Sequence, residues 1–347
     1  MRRRRRGIVL AGLTVVAALA AGGILVTRTG TDRAPTAAAS PAVPSSPPSA
    51  SAPASAPATS APAASAAPRP LPPRPAPGRI TRWAYQLQDY PGGRLDHIAA
   101  GPYQLAVVDL ARDAHTDYFR PDEIRRVQAA GQRVLAYFEI GSIEDFRPEY
   151  PALRRDAGDV IGNEWADWPG EYFVRYWDER WWQRVLRGRV DQALRAGFDG
   201  AYLDTPLAYE ELDPGYAQGR DRAALGREMA ALIARISAYA KQRRPGFLIV
   251  PQNSPELRRF PGYTAAIDGI AMEELFFRAT DEPCREDFCA ENLADTRALR
   301  DAGKFVLGVD YATRPADIRS ACGRYRRERF AGTVTVLALD RLTQPCP

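Results

Sequence analysis

Between residues 80 and 340 the chain alternates short β-rich runs with longer stretches of helical periodicity. The β-rich runs cover 83–87, 105–109, 134–139, 201–204, 247–251, 267–273, 305–310 and 334–340. Between them, 178–196, 222–243 and 292–302 repeat apolar residues at helical spacing with polar residues opposite. Helical stretches hand over to strands through Ala130-Gly131, Ala196-Gly197 and Ala302-Gly303. Glycine suits that place because a helix C-terminus commonly ends in left-handed backbone. Eight strand candidates with helices between them predict an α/β fold, a (β/α)8 TIM barrel of about 250 residues. A doubly wound sheet is the competitor, but no Gly-x-Gly-x-x-Gly follows the first strand.

Several of these runs end in an acid: Asp109, Glu139, Asp204, Glu273, Asp310 and Asp340. The C-terminal strand ends of a barrel form its active face. A single acid there reads as a helix N-cap; six of them require solvent, a cation or a reaction. Strand alternation sorts the side chains. Gly269, Ala271 and Glu273 share one face, and Ile270 and Met272 share the other. Small residues suit a crowded barrel interior, which turns Glu273 inward and Glu274 outward. The same reading turns Tyr202 with Asp204, Tyr137 with Glu139, and Gly308 with Asp310 inward. The chain has only two histidines, His97 and His115, which disfavours His-based metal sites and a Ser-His-Asp triad. Carboxylates among aromatics instead suggest sugar chemistry, with two carboxyls as acid and as nucleophile or base. Trp165, Trp168 and Trp177 are candidates for a sugar-stacking wall, whereas Trp181 and Trp182 read as helix packing.

Composition divides the chain. Residues 1–77 hold 9 of the 47 Lys+Arg and 1 of the 42 Asp+Glu, so the formal +5 comes from that segment and the rest carries −3. A nucleic-acid footprint needs a basic folded face, and none is indicated. Arg2 to Arg6 precede about 20 uncharged residues, Gly7 to Val26, a length that fits a membrane span. Residues 1–28 therefore read as an anchor or a cleaved signal, with the remainder exported. Residues 29–77, almost all Ala, Pro, Ser and Thr, read as a disordered tether of up to roughly 150 Å. The folded domain is then 78–347. All four cysteines, Cys284, Cys289, Cys322 and Cys346, lie in it. An even count in an exported domain favours two disulfides, and of three connectivities Cys284–Cys289 with Cys322–Cys346 is the most local. No motif demands a metal or a cofactor.

Several ordered motifs carry a resemblance. They are Gly141-Ser142-Ile143-Glu144-Asp145-Phe146-Arg147-Pro148, Trp168-Pro169-Gly170-Glu171, Gly197-Phe198-Asp199-Gly200-Ala201-Tyr202-Leu203-Asp204, Met272-Glu273-Glu274-Leu275 and Gly303-Lys304-Phe305-Val306. Together they resemble glycoside hydrolase family 114 over roughly residues 80 to 340. The resemblance implies a (β/α)8 barrel that hydrolyses α-1,4-linked polygalactosamine, with Asp204 and Glu273 as the catalytic carboxylates and Asp199 as a structural residue. Pro251-Gln252-Asn253 resembles a strand end that presents an amide to the sugar. Asp109, Tyr137, Glu139, Tyr202, Gln252, Asn253 and Asp310 are the expected substrate contacts, on an amino-sugar-rich polysaccharide. Thr205 stands where such members tend to have Asn, which bears on substrate identity. The other class of function is a catalytically silent barrel that binds polysaccharide at the cell surface, since acids alone do not establish turnover.

Overall fold

The computed structural model describes Arg74 and residues 76–347. The apolar run 7–26 and nearly all of the tether lie outside these residues. The strands are Trp83–Tyr85 (β1), Leu105–Asp109 (β2), Arg133–Glu139 (β3), Ser142–Glu144 (β4), Ile161–Glu164 (β5), Glu171–Val174 (β6), Gly200–Asp204 (β7), Leu248–Pro251 (β8), Gly269–Glu273 (β9), Phe277–Ala279 (β10), Glu282–Pro283 (β11), Phe305–Tyr311 (β12) and Ala331–Thr335 (β13). One parallel sheet runs β1-β2-β3-β7-β8, and a second runs β9-β12-β13. A parallel bridge between Gln252 and Ala271 joins the end of β8 to β9. At the other edge the Trp83 indole donates to the Ala331 carbonyl at 2.9 Å. The centre of the fold is therefore α/β, with parallel strands taken in chain order.

Pleat alternation builds two apolar layers from these strands. Tyr85, Leu105, Val107, Leu135, Tyr137, Tyr202, Val250, Ala271, Leu307 and Val309 pack together on one side. Val108, Phe138, Leu203, Ile249, Ile270 and Met272 pack with the helices on the other. The helix Arg222–Arg243 shows how the outer layer is made. Asp221 caps it by accepting from the Ala224 N–H at 2.7 Å, and Leu225, Met229, Ile233, Ile236 and Ala240 form its buried stripe. Each such large side chain contributes about 1.5–3 kcal/mol by leaving water. The helix stops just before Pro245, which has no N–H to continue it.

Two expectations are corrected, and strand alternation does not apply to a third. The last strand is Ala331–Thr335, not 334–340, and Asp340 lies beyond it in a loop. The run Val336 to Leu339 is more apolar, yet Gly332 is what fits beneath Tyr325, whose ring would lie 2.5 Å from a Cβ there. Asp310 does not share the inner face. Val309 and Tyr311 point inward, while Gly308 and Asp310 turn to the helix Pro315–Glu328, where a Cβ on Gly308 would meet Tyr325 at 2.2 Å. Glu274 is not governed by alternation at all, because β9 ends at Glu273 and Glu274 takes left-handed backbone, φ 54°. The antiparallel sheet β4-β6-β5 was not anticipated; its strands are only three or four residues long.

Disulfides pair Cys284 with Cys289 and Cys322 with Cys346, and no cysteine among the described residues is free. The second ties the helix Pro315–Glu328 to the C-terminal tail, closing a 24-residue separation that is worth about 3 kcal/mol in the chain-entropy account. Thiol labelling of the denatured, unreduced protein is expected to give no adduct. Labelling at all four cysteines would refute the pairing.

Candidate active site

Asp204 closes β7, opposite Glu139 on β3. Tyr137 donates its hydroxyl to Asp204 Oδ2, and the Thr205 N–H donates to Oδ1 at 2.6 Å. Burial pushes the Asp204 carboxyl up to about 6 against these two donors. Glu273 closes β9, and its own N–H donates to Asn253 Oδ1 at 2.9 Å. Burial, and then the charge of Asp204, push Glu273 up to about 8, while Tyr311, Tyr85 and Gln252 offset part of the shift by hydrogen bonding. Tyr202 is fully buried beside both, and after burial the charges of Glu273 and Asp204 raise its hydroxyl further. Its ring lies 5.2 Å from Tyr85 and 6.1 Å from Tyr137, so a tyrosine floor underlies the two acids. Left-handed backbone at Thr205, Asn253, Ser254 and Glu274, with φ of 51–61°, ends β7, β8 and β9. Strain of this kind persists only where surrounding contacts enforce it.

The other expected acids are occupied. Arg147 donates to both oxygens of Asp109 at 3.1 Å, to Glu139 Oε1 at 2.5 Å and to Glu144 Oε2 at 2.7 Å. Arg189 donates to Glu139 Oε2 at 2.7 Å and pairs with Glu149. Asp109 and Glu139 are 2% and 0% exposed, so neither is free to meet a substrate as expected. Burial raises Asp109 to about 6 even beside Arg147. Against the cost of burial, Arg147 and then Arg189 hold Glu139 well below the ordinary carboxylate range. Asp310 is also buried, accepting from the Phe276 and Phe277 N–H groups at 3.0 Å. These three carboxylates are internal struts rather than cleft walls.

Two groups escaped sequence reasoning. Arg147 was visible inside the Glu-Asp-Phe-Arg-Pro motif, but nothing in that motif shows that it pairs with Asp109 and Glu139. Arg189 carries no local signal. Glu171 stands in the Trp-Pro-Gly-Glu motif with no role assigned to it; it is buried, lies 2.5 Å from Ser142 Oγ, and is raised to about 8 by burial and then by Asp204. Glu274 is also raised to about 8, by burial and then by Glu273 and Asp310. Asp199 stands at the opposite end of β7, held by Arg74, Gln128 and the Val134 N–H. Trp181 and Trp182 are buried. Trp168 is 45% exposed, with Trp165 edge-on to it at 6.4 Å, and Phe146 is 48% exposed. Trp177 packs partly against the core, under the Arg220 guanidinium. Among the described residues, the cluster with metal-ligand spacing is Cys284, Glu286 and Cys289, whose cysteines are paired with each other.

Comparison with known proteins assigns the chain to a family. Residues 59–347 match the sequence profile of glycoside-hydrolase family GH114. The chain belongs to this family. As a GH114 member it is a glycoside hydrolase, and the two half-buried acids at the ends of β7 and β9 are where a GH114 reading directs attention. An uncharacterised protein of Deinococcus radiodurans is 34% identical over 264 residues, covering 76% of this chain and 82% of that one. One from Thermotoga maritima is 31% identical over 239 residues, covering 68% and 72%. The glycoside hydrolase domain of PelA from Pseudomonas aeruginosa has a similar fold, with TM-score 0.59 at 16% identity over 76% of this chain and 98% of that one. Aspergillus fumigatus Ega3, in a complex with galactosamine, gives 0.60 at 17% identity over 80% and 98%.

Removing Arg147 isolates its contribution. Arg147→Met would strand Asp109 and Glu139 without their shared cation, and breaking a buried pair in this way costs about 3–5 kcal/mol. An unfolding free energy lowered by that amount is expected, read as a fall in the denaturant midpoint. An unchanged midpoint would show that these acids do not need the arginine.

Proposed function

We propose that the protein is an exported glycoside hydrolase that cleaves an α-linked, galactosamine-rich polysaccharide, using Asp204 and Glu273 as its catalytic pair. The observation that carries this reading is the placement of the two carboxyls at the C-terminal ends of β7 and β9 over buried tyrosines, with burial raising Asp204 to about 6 and Glu273 to about 8. Environments that push two acids apart assign acid and base. Asp204 is the ionised nucleophile or base, held by Tyr137 and the Thr205 N–H. Glu273 keeps its proton at neutral pH and is the general acid for the leaving oxygen. Asn253 is an amide contact to the sugar, the buried Gln252 supports Glu273 from behind, and the exposed rings of Trp168 and Phe146 are stacking surfaces for further units of the polymer. Asp109, Glu139 and Asp310 support the mouth from within.

The substrate class follows from charge as well as from likeness. The chain after residue 77 carries a net negative charge, which favours a polymer bearing ammonium groups. The galactosamine held by Ega3 is consistent with that chemistry. We read the two parallel sheets as one (β/α)8 barrel because the strands follow in cyclic order and meet at the Gln252–Ala271 and Trp83–Ala331 joints. Residues 1–28 are assigned as anchor or signal, 29–77 as tether and 78–347 as the catalytic domain. Export is supported by the apolar run after Arg6 and by the two disulfides. Among the described residues no helix is long and apolar enough to cross a membrane.

Incubation with polygalactosamine is expected to release soluble oligomers with new reducing ends; retention of intact polymer on the protein would favour the silent binding barrel. Asp204→Asn and Glu273→Gln should each lower turnover by at least about 10²-fold with binding kept. The rate should rise as Asp204 loses its proton through about 6 and fall as Glu273 loses its proton through about 8. A rate that climbs steadily past the second value would exclude Glu273 as the acid.

A further inference from the structure

Glu171 opens β6 close to Asp204 and takes no part in the chemistry above. Ser142 Oγ lies 2.5 Å from Glu171 Oε1 and 2.9 Å from the Thr205 hydroxyl. The Thr205 hydroxyl lies 2.8 Å from the Asp204 carbonyl oxygen and accepts from the Gly141 N–H at 3.0 Å. Three oxygen–oxygen contacts therefore connect Glu171 to the backbone of Asp204. Ser142 and Thr205 bring one hydroxyl proton each. Two protons cannot fill three contacts. A proton on Glu171 completes the chain: Glu171 donates to Ser142, Ser142 to Thr205, and Thr205 to the Asp204 carbonyl.

The residue so held is an awkward one. Thr205 is β-branched, fully buried and left-handed, with φ 61°, a conformation such residues rarely adopt. That conformation aims its N–H at Asp204 Oδ1. The neighbouring turn lies close against it, at a position only glycine fits, since a Cβ on Gly141 would lie 2.2 Å from the Thr205 carbonyl oxygen. We infer that Glu171 is a positioning residue, which supplies the third proton and, through Ser142 and Thr205, fixes the strained turn that aims the Asp204 carboxylate. The inference rests on the role given to Asp204 above.

The surroundings favour a neutral Glu171. Facing it are Asp204 from β7, Tyr137 and Glu139 from β3, Glu144 from β4, and Arg147. Arg147 is the one cation in that set, and it is already shared among Asp109, Glu139 and Glu144. Burial, then Asp204 and Glu139, hold the Glu171 carboxyl near 8. A neutral neighbour also spares Asp204 a second negative charge.

The test does not depend on a substrate. A carboxyl raised in the fold binds its proton more tightly there than in the unfolded chain. Its contribution to stability therefore falls as pH rises from the ordinary 4.5 towards about 8. Glu171→Gln is neutral at every pH, and its amide N–H can donate to Ser142. In the full chain, the melting temperature of this variant relative to wild type is expected to climb by about 3 °C or more between about pH 5 and about pH 8. An infrared carbonyl band of a protonated carboxyl, present in wild type at neutral pH, should be missing from the variant. A constant difference in melting temperature with no missing band would overturn the proposal.

Turnover of polygalactosamine then tests the positioning role. Ser142→Ala, Thr205→Val and Glu171→Leu should each lower kcat about 10-fold with little change in KM, the scale of one lost hydrogen bond in a buried network. Glu171→Gln should stay near wild type. Equal losses for Gln and Leu would overturn the relay. If wild type itself leaves the polymer intact while the thermal and infrared results hold, the substrate reading fails and the proton on Glu171 stands.

Discussion

A single guanidinium organises the acidic end of the strands. Arg147 touches Asp109, Glu139 and Glu144, which arrive from β2, β3 and β4. Three carboxylates this close repel, and burial removes the water that would screen them. Arg147, with Arg189 behind it, makes their convergence tolerable. The pairing does not need to add net stability to matter; a buried ion pair seldom does. Its effect is to hold the C-terminal ends of β2 and β3 in one arrangement beside β7.

Arg147 leaves a second set of buried acids unpaired. Asp204, Glu171 and Glu273 have no guanidinium of their own, and burial raises all three. They differ in what hydrogen bonds to them. Asp204 receives two donors and stays the easiest to ionise. Glu273 and Glu171 remain protonated near neutrality. These strand ends are therefore less negative than their residue list suggests.

Part of this was legible in the sequence. The small residues Gly269 and Ala271 did indicate the inner face of β9, because on that face they lie beside the large Phe305 and Leu307 of the adjacent β12. The same argument failed at Gly308. There the space is taken by Tyr325 from the outer helix, so a small residue signals crowding without telling which side is crowded. Aromatic Tyr311 one place later was the better indicator. The pairing of Arg147 with Asp109 spans 38 positions and leaves no periodic trace. Thr205 stood out only as a departure from a family pattern; its left-handed turn, where Asn would be more at ease, is a tertiary property enforced by Gly141 and Ser142.

The central claim is that the fold itself separates the two acids, leaving Asp204 ionised and Glu273 protonated at neutral pH. Carbon-13 NMR of the side-chain carboxyls, assigned through Asp204→Asn and Glu273→Gln and followed across pH in the intact protein, measures this without any substrate. The account predicts midpoints near 6 for Asp204 and near 8 for Glu273. Two carboxyls titrating together in the ordinary range near 4 would contradict it.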